Sequence, residues 1–291
     1  MNHNNMISTS TLYIVATPIG NLRDISLRAL DILAAVDMVA AEDTRMTARL
    51  LAHYSIARKM MALHQHNERA MAEKVVNFLA QGKSIALVTD AGTPGISDPG
   101  SVLVSLVRDQ GYKVTPIPGA NAAICALSAS GITMPHFLFY GFLPVNSGPR
   151  KRELEALKSL PHTLVFYEAP HRILDCVADL VEVLGMHRQL IIARELTKVF
   201  ETFHRCVLHD APAWLQADAN RQKGEFVLLV SGAEVRTEEK VSDQARRTLA
   251  LLLEDLPLKQ AVKLATEITG ESKNMLYALA LALKGETNSR A

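Results

Sequence analysis

From Thr11 onward, short apolar blocks alternate with longer amphipathic stretches. "LYIVAT" reads as a buried strand. "SLRALDILAAV" places Leu30, Leu33 and Ala34 on one face, which predicts a helix begun by Asp24 or Ser26. "MVAA" predicts a strand, "TARLLAHY" a helix and "MMAL" a strand. Asn67 to Gln81 predicts a helix closed by Gly82. "SIALVT" is the next strand. A loop follows, then a helix over Ser101 to Gln110 with Gly111 beyond it, the strand "KVTPI" and the small-residue helix "GANAAICALSAS". Repeated strand–helix units with fully apolar strands predict a mostly parallel sheet covered on both faces.

The rhythm breaks at "FYGFLPVNSGPRKR", whose glycines and prolines precede a basic cluster. This segment is the expected boundary between two α/β domains, 11–142 and 143–234. The second half predicts a helix over Glu153 to Leu160, the strand "TLVFY", the loop "EAPHR", a helix over Ile173 to Leu184, and the strand "QLIIARE". "VFETFHRCV" and "EFVLLVSG" follow as strands, so this sheet is expected to be mixed. The charged stretch "AEVRTEEKVSD" reads as a linker to a third domain, 241–285. There, three apolar stripes (Ala245, Leu249, Leu252, Leu253, Leu256; Ala261, Leu264, Ala265, Ile268; Leu276, Leu279, Ala280, Leu283) and the turn residue Gly270 predict a helix-turn-helix arrangement. Its polar side carries Lys259, Lys263, Lys273 and Asn274. Packing of a solvated helical appendage explains the same spacing.

Composition narrows the function. The 291 residues are 48% hydrophobic, enough for sizeable cores. A net charge of +1 rules out bulk electrostatics as a means of holding a polyanion, so nucleic-acid binding must rest on local patches. Cys125, Cys176 and Cys206 show no ligand or disulfide spacing, and the histidines His64, His66 and His171 lack a third partner, so no metal is expected. The polar start "MNHNNMISTS" lacks the apolar stretch of a signal peptide, and no apolar run reaches the roughly 18 residues of a membrane span. A cytoplasmic protein without membrane attachment is the expectation.

The candidate chemistry concentrates in "TDAGTPGISDPG", Thr89 to Gly100. It holds more turn residues than a turn requires. Neither phosphate-binding glycine pattern occurs in the chain, and no second aspartate stands two residues after Asp90, as an aspartyl-phosphate enzyme would want. A rigid loop at a strand end, with glycines that let backbone approach and two carboxylates, suits a ligand carrying cationic groups. S-adenosylmethionine, with its sulfonium and ammonium, is such a ligand. Asp90 and Asp98 also fit plain turn or cap roles.

The ordered set "LYIVATPIGNLRDIS", "AAEDTR", "LVTDAGTPGISDPG", "PIPGANAA", "FYEAPHR", "ARELTK" and "KGEFVLLVSG" resembles the bacterial 16S ribosomal RNA (cytidine 2′-O)-methyltransferases of the tetrapyrrole methylase superfamily, over about residues 11 to 285. The resemblance implies two α/β domains with S-adenosylmethionine between them, a helical tail, and a homodimer acting on 16S ribosomal RNA in the small subunit. It implies cofactor contacts from Asp90, Ala91, Gly92, Ile96, Ser97, Asp98, Asn121 and Ala122, with Pro18 near the reacting centre. From the second domain it implies Tyr167, Glu168, Ala169, Gly224, Glu225 and Phe226. Glu168 departs from the apolar residue of tetrapyrrole-modifying relatives, so it either turns toward RNA or makes the adenosine contact polar.

A ribose hydroxyl needs a group that positions it or takes its proton. Glu195 and Lys198, at one strand end, are the candidates; Glu42, Asp43 and His171 stand in similar motifs. Interdomain ion pairing accounts for these residues equally well. Arg45 and Arg172 are candidates for phosphate contacts near the centre, and Arg150, Lys151, Arg152, Arg221, Lys223, Arg246 and Arg247 for contacts further out. Two other readings share the pattern: a small-molecule or tetrapyrrole methylase, and a non-catalytic RNA-binding assembly factor.

Overall fold

The computed structural model describes residues 7–234 and 241–288, in two compact units, Met1–Ala233 and Glu234–Ala291. The first unit opens with a five-stranded sheet. Its strands are β1 (Thr11–Val15), β2 (Met38–Ala41), β3 (Met60–Ala62), β4 (Ile85–Val88) and β5 (Lys113–Ile117), in the order β3-β2-β4-β1-β5 with every neighbour parallel. The connecting helices are α1 (Leu27–Ala35), α2 (Thr44–His53), α3 (Glu68–Ala80) and α4 (Ser101–Asp109), and α5 (Ala122–Ala129) follows β5. Alternation along β1 sends Tyr13 and Val15 to one core and Leu12 to the other, so both faces are covered. Ser26 caps α1 by accepting from Ala29 N at 3.1 Å; Asp24 lies in a short turn before it.

The second sheet contains β6 (Phe137–Phe142), β7 (Thr163–Glu168), β8 (Gln189–Arg194), β9 (Thr202–Val207) and β10 (Phe226–Val230), in the order β6-β7-β10-β8-β9. Only β6 and β7 run parallel, which is the expected mixed sheet. One face packs on α6 (Ser147–Leu157), α7 (Ile173–Leu184) and α8 (Ala211–Gln216) through Phe166, Ile192 and Leu228. The other face, Val165, Ile191, Val227 and Leu229, packs on Ala123 and Ala126 of α5 and on Ile19. Small residues on α5 let it lie close to the sheet. This helix therefore holds the two sheets together.

Two expectations are corrected here. The sheets change between β5 and β6, so the strand Phe137–Phe142 belongs to the second sheet and the division at 142/143 cuts behind it. The basic segment is helix from Ser147 onward, not a linker. Pro149 is tolerated because a first-turn residue has no intrahelical N–H bond to lose. Arg150, Leu154 and Leu157 form the buried stripe of α6.

In the second unit, α9 (Asp243–Asp255), α10 (Leu258–Thr269) and α11 (Lys273–Asn288) bury Ala245, Leu249, Ala261, Val262, Ala265, Leu276 and Ala280. Ser242 caps α9, and Gly270 ends α10 in the left-handed region at φ 72°. The stripe of α10 is rotated from the expected one: Val262 is buried, whereas Leu264 and Ile268 are exposed. The linker residues 235–240 lie outside the described residues. No described helix is long and apolar enough to cross a membrane.

Candidate active site

β1 and β4 are neighbours, yet their connections run to opposite sides of the sheet, to β2 and to β5. The crevice beyond such strand ends is where open α/β sheets bind ligands. The loops after the two strands are joined here. Thr17 N donates to Gly92 O at 2.8 Å, Gly92 N to Thr17 O at 3.1 Å, and the Thr17 hydroxyl to Thr89 O at 3.0 Å. Gly92 adopts φ 86°, which only glycine takes without strain.

The far end of the loop is held by Glu68, a residue the sequence pattern did not single out. Its buried carboxylate accepts from Gly100 N (2.9 Å), Val102 N (2.9 Å) and Leu103 N (3.2 Å), which caps α4 where Gly100 has no side chain to do so. Between these anchors Ser97 sits at φ 65°. Its hydroxyl is so close to Gly141 that a Cβ there would stand 2.7 Å away. The loop is thus clamped against β6, at the point where the β6–β7 register shifts.

A cavity of about 370 Å³ opens between the loop and the second sheet. That volume lies in the roughly 300–1,000 Å³ range of small-molecule sites. Its first-sheet wall contains Asp90, Ala91, Gly92, Ile96, Ser97, Asp98, Asn121 and Ala122; its second-sheet wall contains Tyr167, Glu168, Ala169, Glu225 and Phe226. Ile19, Glu42, Thr93, Phe142, Pro170, Leu196 and Val227 complete the lining. Of these seven, only Glu42 was singled out from its sequence motif. Tyr167 places α5, since its hydroxyl accepts from Ala123 N at 3.2 Å.

Three carboxylates stand on one rim. Glu42 accepts from the Thr89 hydroxyl at 2.5 Å and Asp90 accepts from Asp43 N at 3.1 Å. Burial, and then the neighbouring charges of Glu42 and Asp90, push the Asp98 carboxyl up to about 6. Burial followed by Glu42 and Asp43 also raises Asp90. Crowded carboxylates are unfavourable until a cation arrives. The donor set fits S-adenosylmethionine: acidic groups for its cationic atoms, exposed loop backbone for its polar end, and Phe142, Leu196 and Val227 for its apolar surface.

Across the cavity, the chain leaves β8 through two residues in the left-handed region, Glu195 (φ 53°) and Thr197 (φ 65°). Lys198 Nζ stands 2.8 Å from both Glu195 Oε1 and Glu225 Oε2, and Glu225 N donates to Glu195 Oε1 at 3.0 Å. Burial alone would lower the Lys198 pKa, but hydrogen bonds to the two glutamates reverse this and hold the ammonium above its ordinary value. Burial would likewise raise Glu195, and Lys198 together with the Glu225 N–H holds it below. Both groups are therefore kept charged. Glu225 carries this cluster to the cavity wall. Asn21 N donates to the Thr197 hydroxyl at 3.0 Å, which ties the cluster to the loop after β1.

Several expected contacts are placed elsewhere. Pro18 lines a second, smaller cavity, because it is Ile19 that turns inward past the Thr17–Gly92 bridge. Gly224 lies behind the wall, under Glu195. Glu168 is buried and paired with Arg172 at 2.9 Å, so it turns neither to RNA nor freely to the cavity, and Arg172 is taken up by it and by Leu143 O at 2.6 Å. Arg150 is 2% exposed, pairs with Asp179 at 2.6 Å and donates to Val145 O at 2.9 Å. It is a core residue, not a phosphate contact. Lys151 pairs with Glu182 at 2.6 Å, and Arg221 lies over the Trp214 ring. Arg45, Arg152, Arg246 and Arg247 are exposed, with Arg45 held at 2.6 Å from Asp43.

A parallel sheet whose strand-end loops face a second, mixed sheet across an acid-rimmed cavity defines an α/β protein of two sheets with a small-ligand site between them. Residues 11–212 match the family described as tetrapyrrole (corrin/porphyrin) methylases, and residues 239–284 match the RsmI C-terminal HTH domain. The chain belongs to the tetrapyrrole methylase family. It is 51% identical over 278 residues to the ribosomal RNA small subunit methyltransferase I of Escherichia coli O157:H7, covering 96% of this chain and 97% of the relative. It is 52% identical to the protein of that name from Vibrio cholerae serotype O1, covering 94% and 96%. Among solved structures, a cobalt precorrin-4 methyltransferase superposes with a TM-score of 0.57 at 16% identity, covering 76% of this chain and 95% of that one. A uroporphyrin-III C-methyltransferase from Thermus thermophilus, complexed with S-adenosyl homocysteine, does so with a TM-score of 0.53 at 17% identity, covering 78% and 99%. These structures share the fold.

Proposed function

We propose that this chain is an S-adenosylmethionine-dependent methyltransferase that modifies the ribose 2′-hydroxyl of a cytidine in 16S ribosomal RNA of the small subunit. It acts in the cytoplasm as a homodimer. The observation that carries the reading is the acid-rimmed cavity between the sheets, in a chain half identical over nearly its full length to small-subunit RNA methyltransferases. The helical second unit favours an RNA substrate over a small molecule.

S-adenosylmethionine, when bound, supplies a methyl carbon activated by its sulfonium. The chain's part is alignment and charge. Asp98 and the backbone of the Thr89–Gly100 loop hold the cationic end, with Asp90 adding its charge at the rim, and Tyr167, Ala169 and Phe226 flank the rest. A protonated hydroxyl is a poor nucleophile, and it loses its proton as the new C–O bond forms. Lys198 and Glu195 position it. The Lys198 ammonium, held charged by its two carboxylates, lowers the pKa of the hydroxyl and stabilises the developing negative oxygen. The Lys198 ammonium has no lone pair to accept a proton, and its partners make the Glu195 carboxylate a weaker base than a free one, so positioning is the stronger half of the expectation.

The exposed Arg45 and Arg152 contact phosphates, and Arg246, Arg247 and the lysines of the helical unit extend the grip along the RNA. The nucleotide must be turned out of its stack to reach the cavity, so the target is a single-stranded or junction site. Transfer of labelled methyl to small subunits, mapped by nucleoside digestion to a ribose, tests this. Transfer to small molecules alone would overturn it, as would tight subunit binding without transfer.

A further inference from the structure

A second cavity of about 150 Å³ lies beside the first, lined by Pro18, Leu22, Met46, Arg49, Leu50 and Asp90 among others. The partition between the two is one residue thick. Pro18 and Thr89 face the smaller space, Ile19 and Ala91 face the larger, and Asp90 borders both. Two parts of one small molecule joined by a few bonds can therefore occupy the two spaces together. The volume of the smaller space suits one planar ring rather than a second cofactor. The apolar residues offer faces for such a ring, and the Met46 thioether is well suited to an aromatic partner.

The polar groups define an edge. Asp90 Oδ1 is occupied by Asp43 N, while Oδ2 accepts no hydrogen bond from the described residues. Arg49 has one described hydrogen-bond contact, a weak one to Met46 Sδ at 3.9 Å. One wall thus presents a carboxylate acceptor and another a guanidinium donor. A ring that satisfies both carries an amino group beside a carbonyl or ring-nitrogen acceptor. Cytosine does, through N4 on one side and N3 and O2 on the other. Held in the same orientation, uracil places O4 where cytosine has N4, opposite the carboxylate, and is disfavoured. Arg45 lies one helical turn from Arg49 on α2, where it would meet the phosphate of the same nucleotide.

Building on the proposed function, we infer that this second cavity is the base-recognition subsite. Asp90 and Arg49 select cytosine, Met46 covers the ring, and the attached ribose is delivered past Pro18 to the main cavity.

The test uses the full-length protein with small subunits carrying either cytidine or uridine at the methylated position. Labelled methyl transfer and S-adenosylmethionine affinity are both measured. The unaltered protein is expected to prefer cytidine by roughly ten- to a hundredfold. Met46→Trp, at an exposed position across the opening, is expected to cut transfer about tenfold or more while leaving cofactor affinity within about twofold. Arg49→Leu is expected to lose most of the cytidine preference, and Arg49→Lys to keep part of it. Retained cofactor affinity shows that each variant is folded. Variants that transfer methyl with unchanged rate and preference overturn the inference alone. Variants that lose cofactor affinity in step with transfer also overturn it, because the cavity would then belong to the cofactor. Failure of the unaltered protein to modify either subunit overturns the functional reading and the inference together.

Discussion

Gly224 lies directly beneath the carboxylate of Glu195: a Cβ on Gly224 would stand 2.4 Å from Glu195 Cδ. Gly224 also adopts φ 88°, so a side chain there is strained as well as obstructed. The Glu195–Lys198–Glu225 cluster is therefore seated on a glycine. Gly224→Ala is expected to lower stability by about 1–3 kcal/mol and to reduce methyl transfer by more than cofactor affinity. Chemical denaturation and paired turnover and binding assays check this. Unchanged transfer would separate the cluster from the reaction.

Asp98 gives the site a pH dependence. Its folded-state pKa of about 6 stands above the ordinary 3.8, so the cofactor-free fold prefers the protonated acid, and ionising it as pH rises works against that fold. A cationic ligand prefers the ionised form. Binding near pH 6 therefore releases a proton, and affinity for S-adenosylmethionine is expected to strengthen from pH 5 to pH 7.5 and then level. Titration calorimetry across that range reads it directly. Asp98→Asn is expected to bind weakly with a flattened profile; an unchanged profile would remove Asp98 from the contact.

Two arginines two residues apart should behave oppositely. Arg150→Met leaves the buried Asp179 without its main partner, and the expected loss is about 3–5 kcal/mol of stability. Arg152→Met, on the exposed side of α6, is expected to change stability by no more than about 0.5 kcal/mol while weakening subunit binding. Urea denaturation with binding measured at fixed salt distinguishes them.

Glu68 links α3 to the cofactor-side loop. Glu68→Ala leaves three buried or half-buried N–H groups without an acceptor, and is expected to cost about 1–3 kcal/mol. It should also loosen residues 97–100. Faster amide exchange confined to that loop, with weaker cofactor binding, is the expected signature.

Most of this architecture was legible in the sequence because the patterning is local. The strands of the first sheet are continuous apolar runs, and the turn residues of Thr89–Gly100 mark a loop at a strand end. What was missed depends on distant partners. "PRKR" beside glycines and prolines looks like a basic linker, and nothing within it says that Arg150 faces Asp179, which lies on α7. Arg172 reads as an unengaged cation in "EAPHR", and nothing in that motif says that it pairs with the buried Glu168 four residues before it. Pro18 and Ile19 exchange roles through the bridge between Thr17 and Gly92, a pairing far apart in the chain. Phe142, Leu196 and Val227 read as ordinary strand-end apolar residues, and only the meeting of the two sheets makes them a wall.

The central claim is methyl transfer to a ribose of the small subunit. The most direct measurement incubates the full-length protein with labelled S-adenosylmethionine and small subunits lacking the modification, then digests the RNA to nucleosides. Label is expected in a single 2′-O-methylcytidine and is expected to be lost in Lys198→Ala and Glu195→Ala. Label on a base, label on a small molecule alone, or no label despite tight subunit binding would contradict it.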